Sequence, residues 1–265
     1  MSAIERPTPR QQTRRLAVLA AAVFAVVVPV VQNLGGFGLS QAEFAAEGNQ
    51  TLQVAGYAFS IWGLLYLGLL IYAGRQGLPQ TGESVLIHRM GWPSVVALFG
   101  IGMWIIAAAL NLKAASVVII FASLLALLVP LLVSGKTIRT TGVADRDRWF
   151  LIWPLAALAG WLTIAAPLNL ITTATAFDAL PAFASPTAWA MAAIVVVVLV
   201  AIEVTLYLRT MAYSLPIAWG LVGAFVAEQE CNPLLGFTAL GAAFVLVVAA
   251  VILVFGLKRG VERRR

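Results

Sequence analysis

Charge is scarce in this 265-residue chain, at 11% Asp, Glu, Lys and Arg, and there is one cysteine and one histidine. Soluble proteins carry about 25% charged residues. With 62% apolar residues, a chain of this size cannot hide its apolar surface in one soluble core, which excludes an ordinary globular domain. Disorder is excluded too, because it needs low hydrophobicity with high charge. The lone Cys231 leaves no intramolecular disulfide and no cysteine metal cluster. The lone His88 leaves no histidine pair to hold a metal. No lysine falls within a candidate span, so a retinal Schiff base is excluded. Nor is there a G-x-S-x-G, an H-E-x-x-H or a phosphate loop on which intramembrane hydrolysis could run.

What the chain does have is apolar runs, and its mean hydropathy is +0.96. Eight of them, 16–34, 53–73, 93–111, 115–134, 149–171, 188–208, 213–229 and 235–257, are each about 17–23 residues long, enough to cross a roughly 30 Å hydrocarbon layer as helix. The fused run from Pro93 to Ser134 is too long for one span, and Asn111-Leu112-Lys113 breaks it into a tight hairpin. The expected fold is therefore all-α, a polytopic membrane bundle of about eight transmembrane helices. With the N-terminus cytoplasmic, every Lys and Arg except Lys113 falls on the cytoplasmic side, while Glu43, Glu47, Asp178, Glu228 and Glu230 fall outside. Both termini are thus expected in the cytoplasm. The net charge of +6 then reads as the retention signal of cytoplasmic loops and as contact with anionic headgroups, not as nucleic-acid binding. Residues 1–15 are expected as a basic disordered tail and 258–265 as a second basic cytoplasmic tail. Arg14-Arg15 precede a 19-residue run with no A-x-A-like site after it, so a retained first helix is expected rather than a signal peptide.

Tryptophan placement is the most informative pattern. Trp92, Trp149, Trp153 and Trp189 fall where an interfacial belt belongs. Trp62, Trp104, Trp161 and Trp219 lie near the middle of their spans. Lipid cannot satisfy an indole N–H, so a deep Trp faces a neighbouring helix or a cavity. Ordinary helix packing is one reading of these four; an aromatic-walled cavity is the other. Asn33, Asn111 and Asn169 fall near the outer ends of spans one, three and five, with Tyr57 and Ser60 at similar depth. They serve either as helix caps and interhelical bonds or as the few polar groups that orient a ligand in an apolar pocket. Glu203 is the one carboxylate well inside a span, with Tyr207 one turn on, a candidate proton-coupling pair because intramembrane charge is costly and often functional. Glu228 and Glu230, beside Cys231-Asn232-Pro233, are expected to be solvated in an outer turn.

The segment Ala55-Gly56-Tyr57-Ala58-Phe59-Ser60-Ile61-Trp62-Gly63-Leu64-Leu65-Tyr66-Leu67-Gly68 resembles the second-helix signature of the TspO/MBR family (tryptophan-rich sensory protein, translocator protein). The similarity is to its longer bacterial branch, which carries extra C-terminal helices. Pro154, Gly160-Trp161-Leu162-Thr163-Ile164-Ala165 and Asn169 resemble the family's fifth helix, and Ala109-Leu110-Asn111 its third-helix element. These motifs fall within 16–175, expected as a five-helix core, with 176–257 as three additional helices. One departure stands out: where the family often has Trp three residues after that Asn, this chain has Ala114, followed by aliphatic Val117, Val118 and Ile119.

The resemblance implies a bundle with a cavity opening toward the outer leaflet that binds porphyrins, other tetrapyrroles or sterol-like apolar molecules. The expected function is thus a multi-pass sensory or binding protein of the bacterial inner membrane, without a tightly bound cofactor. Trp62, Trp161 and Trp104 would stack on a porphyrin- or haem-like ligand, with Phe59, Tyr66, Tyr57, Asn111, Asn169 and Asn33 around it. A transporter coupled to protons through Glu203 and Tyr207 is the alternative, and a porphyrin-modifying enzyme comes third. Small-residue spacings, Ala156-x-x-x-Gly160 and Gly56-x-x-x-Ser60, allow close helix packing and a homodimer.

Overall fold

The computed structural model describes residues 7–48, 51–77 and 84–256, and every regular element among them is a helix. In chain order these are α1 (Pro9–Gly35), the short α2 (Gln41–Ala46), α3 (Ile61–Gly77) entered through a 3-10 turn at Gly56–Ser60, α4 (Val85–Ala109) and α5 (Lys113–Val133). They are followed by the short α6 (Gly135–Thr140), α7 (Trp153–Ala176) entered through a π-turn at Arg148–Ile152, α8 (Pro186–Leu208), α9 (Ser214–Glu228) and α10 (Pro233–Val251), which a π-turn extends to Gly256. Among the described residues seven helices are long and apolar enough to cross a membrane. The expected seventh span is α9, an apolar helix of 15 residues, or about 22 Å at 1.5 Å per residue.

Local chemistry explains the boundaries. Ser185 caps α8 and Asn232 caps α10, each followed by Pro at the first helical position, where its missing N–H costs nothing. Asn111 turns the α4–α5 hairpin by taking a left-handed backbone, φ 55°, which Asn tolerates better than most residues. Helix α1 starts at Pro9 rather than beyond Arg15, because Thr8 and Gln11 form a reciprocal capping box ahead of it. The 9–15 portion of the expected disordered tail is therefore helical. Residues 1–6 and the expected tail 258–265 lie outside the described residues.

Helix α7 is the hub. It packs against α3, α5, α8 and α9, while α1 packs on α3 and α4, and α10 on α8 and α9. Buried residues make up 61% of its most apolar window, against 28% for α10. Its Gly160 is what brings α9 close: a Cβ there would run into the backbone carbonyl of Tyr213. The Ala156-x-x-x-Gly160 face is thereby used inside the bundle. Thr163 and the Tyr213 hydroxyl share a hydrogen bond of 2.6 Å just beside that approach.

Candidate functional site

The end of the bundle that carries α2 is closed by a folded-over segment. Ser40 and Glu43 form a capping box that starts α2, and Phe44 is its buried anchor, edge-on to Trp104 with centroids 6.0 Å apart. The segment is fastened on several sides. Gln32 of α1 donates its side-chain N–H to the Phe37 and Leu39 carbonyls (3.1 and 3.0 Å), and the Leu39 N–H reaches the Ala109 carbonyl at 3.1 Å. Lys113 and Asn111, at the α4–α5 turn, donate to the Glu47 carboxylate at 2.9 and 2.7 Å. Those two donors hold the Glu47 carboxyl below its ordinary range, Lys113 contributing most. Glu43 is lowered as well, chiefly by the Ser40 backbone N–H. Thr51 and Thr175 of α7 share a hydroxyl bond of 2.7 Å.

Beneath this cover lies an apolar cavity. Trp62 of α3, Trp104 of α4 and Trp161 of α7 line it, together with Phe44, Phe59 and Asn169. Each of the three tryptophans is more than nine-tenths buried. Trp62 meets Trp161 edge-to-face at 6.2 Å and stacks on Tyr66 at 5.2 Å, while Phe59 meets Trp161 at 6.4 Å, arrangements that suit ring quadrupoles. Among the described residues the indole N–H groups of Trp62 and Trp104 find no hydrogen-bond partner. Asn169 closes the polar edge through a bond with the Ser116 hydroxyl, 3.1–3.2 Å. The free volume is about 40 Å³, room for roughly three waters. On the far side of Trp62 and Phe59, a groove of about 440 Å³ runs between α1, α2 and α3, lined by Asn33 and Tyr66. The buried Tyr66 hydroxyl likewise has no partner among the described residues.

A family model described as TSPO-like protein matches residues 15–252. The chain belongs to the TSPO-like family. The match runs on through α8, α9 and the whole of α10, well beyond the 16–175 where the recognisable motifs lie. No curated protein and no solved structure matches the chain significantly.

In this TSPO-like chain the expected site residues divide. Trp62, Trp104, Trp161, Phe59 and Asn169 share the cavity, and Trp62 and Phe59 are also walls of the groove that holds Asn33 and Tyr66. Asn33 also binds back to its own helix, at the Pro29 carbonyl (2.8 Å). Asn111 belongs to the turn and to Glu47, not to the cavity lining. Tyr57 is exposed and sits edge-on to Trp219, 5.6 Å away. Trp219, a deep tryptophan by sequence, is 38% exposed and donates its N–H to the Ala58 carbonyl at 2.8 Å. Glu203 lies on the exposed face of α8, and Tyr207 holds the Arg139 guanidinium over its ring at 5.0 Å. Neither lines the cavity.

Two contributions escape sequence reasoning. Phe44 was visible in principle, since Ser40-x-x-Glu43 is a capping-box signature that announces a short helix. Gly220 of α9, also on the cavity wall, carries no such signal. Glu228, expected in a solvated turn, is only 4% exposed and accepts the Gln53 backbone N–H at 2.5 Å.

Proposed function

We propose that this protein reversibly binds a flat, mostly apolar small molecule of the tetrapyrrole class and acts as a membrane sensory or binding protein. The observation that carries the reading is the convergence of Trp62, Trp104 and Trp161, from three helices, on one cavity where two indole N–H groups stay unpartnered. Burying a donor without an acceptor costs about 1–3 kcal/mol, a cost that a ligand with acceptor atoms on its rim removes. The rings supply stacking area, and Asn169 supplies a polar edge. No His or Cys lines the cavity, so a porphyrin would be held by stacking and burial rather than by axial ligation. With about 40 Å³ free, binding requires the covering segment to move. In the bilayer the α2 end faces outward and both termini face the cytoplasm of a bacterial inner membrane, the orientation that puts all basic residues but Lys113 inside.

The test is a titration of detergent-solubilised protein with protoporphyrin IX, followed by tryptophan fluorescence, beside a membrane protein of similar tryptophan content. Saturable quenching that weakens in Trp62→Phe and Trp161→Phe, with the porphyrin absorbance spectrum unchanged over hours, supports the reading. Quenching no greater than in the control protein removes it.

A further inference from the structure

Helix α9 lies outside the part of the chain that carries the family motifs, yet it reaches the cavity. We infer that α9 completes the ligand site: Gly220 sets the size of molecule the cavity accepts, and Glu228 and Trp219 hold residues 53–58 in place beside it. The inference rests on the ligand-binding reading above and assigns that site a selectivity wall and a fastening.

Gly220 is not demanded by a turn, since its backbone is ordinary helix. Space is what its missing side chain provides. A Cβ there would stand 2.9 and 3.2 Å from Ile164 Cδ1 and Cγ2, and 3.4 Å from Trp161 Cζ3. All three atoms belong to residues that line the cavity. A larger residue at 220 must therefore either grow into the cavity or push α9 away from α7. Overpacking of that kind is resisted in a close-packed interior.

The fastening consists of three hydrogen bonds from one helix to one short stretch. The Gly223 carbonyl accepts the Ala55 N–H at 3.0 Å, Glu228 accepts the Gln53 N–H at 2.5 Å, and Trp219 donates to the Ala58 carbonyl at 2.8 Å. Val54, in the middle of that stretch, is itself a wall of the cavity. The stretch leads directly into the turn that starts α3, which carries Trp62. Glu228 is the only one of the three contacts made by an acidic side chain, and it is buried where bulk water does not compete for the Gln53 N–H. Freeing residues 53–58 to enlarge the cavity means breaking these bonds, so Glu228 is a positioning residue that governs exchange.

Two probes of different size test this on the full-length protein in detergent: protoporphyrin IX and the smaller quencher 1-nitronaphthalene. Gly220→Leu is expected to weaken porphyrin binding about tenfold, while nitronaphthalene changes far less, as a filled cavity dictates. Gly220→Ala, which adds one methyl, gives a smaller loss in the same direction and covers the case in which the leucine variant does not fold. Gly241→Leu, at a position where a Cβ meets open space, should leave both probes unaffected. In stopped flow, Glu228→Leu is expected to raise the porphyrin association and dissociation rates together, whereas Glu228→Gln keeps an acceptor oxygen and stays near wild type. If wild type binds porphyrin and the Gly220 and Glu228 variants match it in affinity and rates, the assignment of α9 is overturned and the ligand reading stands. If wild type binds neither probe, the ligand reading fails and α9 loses its role with it.

Discussion

Replacing Trp104 by Phe and, separately, Trp219 by Phe should affect stability and binding in opposite order. The two substitutions remove the same atoms from very different surroundings. Trp104 is buried with an unpartnered N–H, while Trp219 is 38% exposed and its N–H is bonded to the Ala58 carbonyl at 2.8 Å. Losing about three buried heavy atoms at Trp104 costs on the order of 1 kcal/mol as a new cavity. Removing an unsatisfied buried donor returns about 1–3 kcal/mol. The two terms nearly cancel, so the thermal midpoint of Trp104→Phe, followed by circular dichroism in detergent, should stay level or rise slightly. Trp219→Phe loses a made bond worth about 0.5–1.5 kcal/mol, a fall of about 2–4 °C for a chain of this size. Binding reverses the order. Protoporphyrin affinity should drop about threefold to tenfold in Trp104→Phe, the loss of one net hydrogen bond, and change little in Trp219→Phe, where the loosened fastening of residues 53–58 shows instead as faster association and dissociation together. A midpoint that falls further in Trp104→Phe than in Trp219→Phe would mean that the Trp104 indole is hydrogen-bonded in the native protein, and the argument from its orphaned donor would collapse.

Three further outcomes follow from the same contacts. The Glu47 carboxyl is held below its ordinary value of 4.5 by Lys113 and then Asn111, so its contribution to closing the cover is complete above that ordinary value and fades as the pH falls through the lowered one. Porphyrin exchange should accelerate on such acidification, and Lys113→Met should reproduce the acceleration at pH 7; stopped-flow quenching reads both. Gly160→Leu drives a side chain into the Tyr213 backbone carbonyl and should lower the thermal midpoint strongly, by about 1–3 kcal/mol or more of overpacking, with the loss greater than for Gly241→Leu. Glu203→Gln alters an exposed face of α8 that is not part of the cavity lining, so porphyrin affinity and porphyrin flux into proteoliposomes should both be unchanged; loss of flux with binding intact would restore the proton-coupled alternative.

Much of the architecture was legible along the chain because the bilayer is a simple solvent. It demands about 20 apolar residues per crossing, and it separates deep from interfacial tryptophans. The eight apolar runs accordingly reappear as helices, though α1 and α4 start seven and eight residues earlier than hydropathy suggests, α3 starts at Ile61 after its 3-10 turn, α7 runs five residues further and α10 ends at Val251. Of the tryptophans placed in the interfacial belt, Trp92 and Trp149 are about half exposed and Trp153 and Trp189 half-buried, while Trp62, Trp104 and Trp161 are buried. Depth is a one-dimensional property, and a sequence of hydropathies encodes it.

Rotation about each helix axis is not encoded that way, because a helix that is apolar all round gives no sign of which face meets lipid. That is why Trp219 and Glu203, both deep by residue count, turned out to lie on exposed faces, while Glu228, at the end of a helix, turned inward to hold Gln53. Asn111 and Asn169 look alike in sequence; one serves a turn and a carboxylate, the other a cavity wall. The sequence by itself determined the class of protein, the apolar runs that become helices, and the kinship its motifs announce. Only the tertiary structure decided which of those side chains share a cavity, that a capped short helix covers it, and that α9 closes its side, because those facts depend on how helices far apart in the chain turn toward one another.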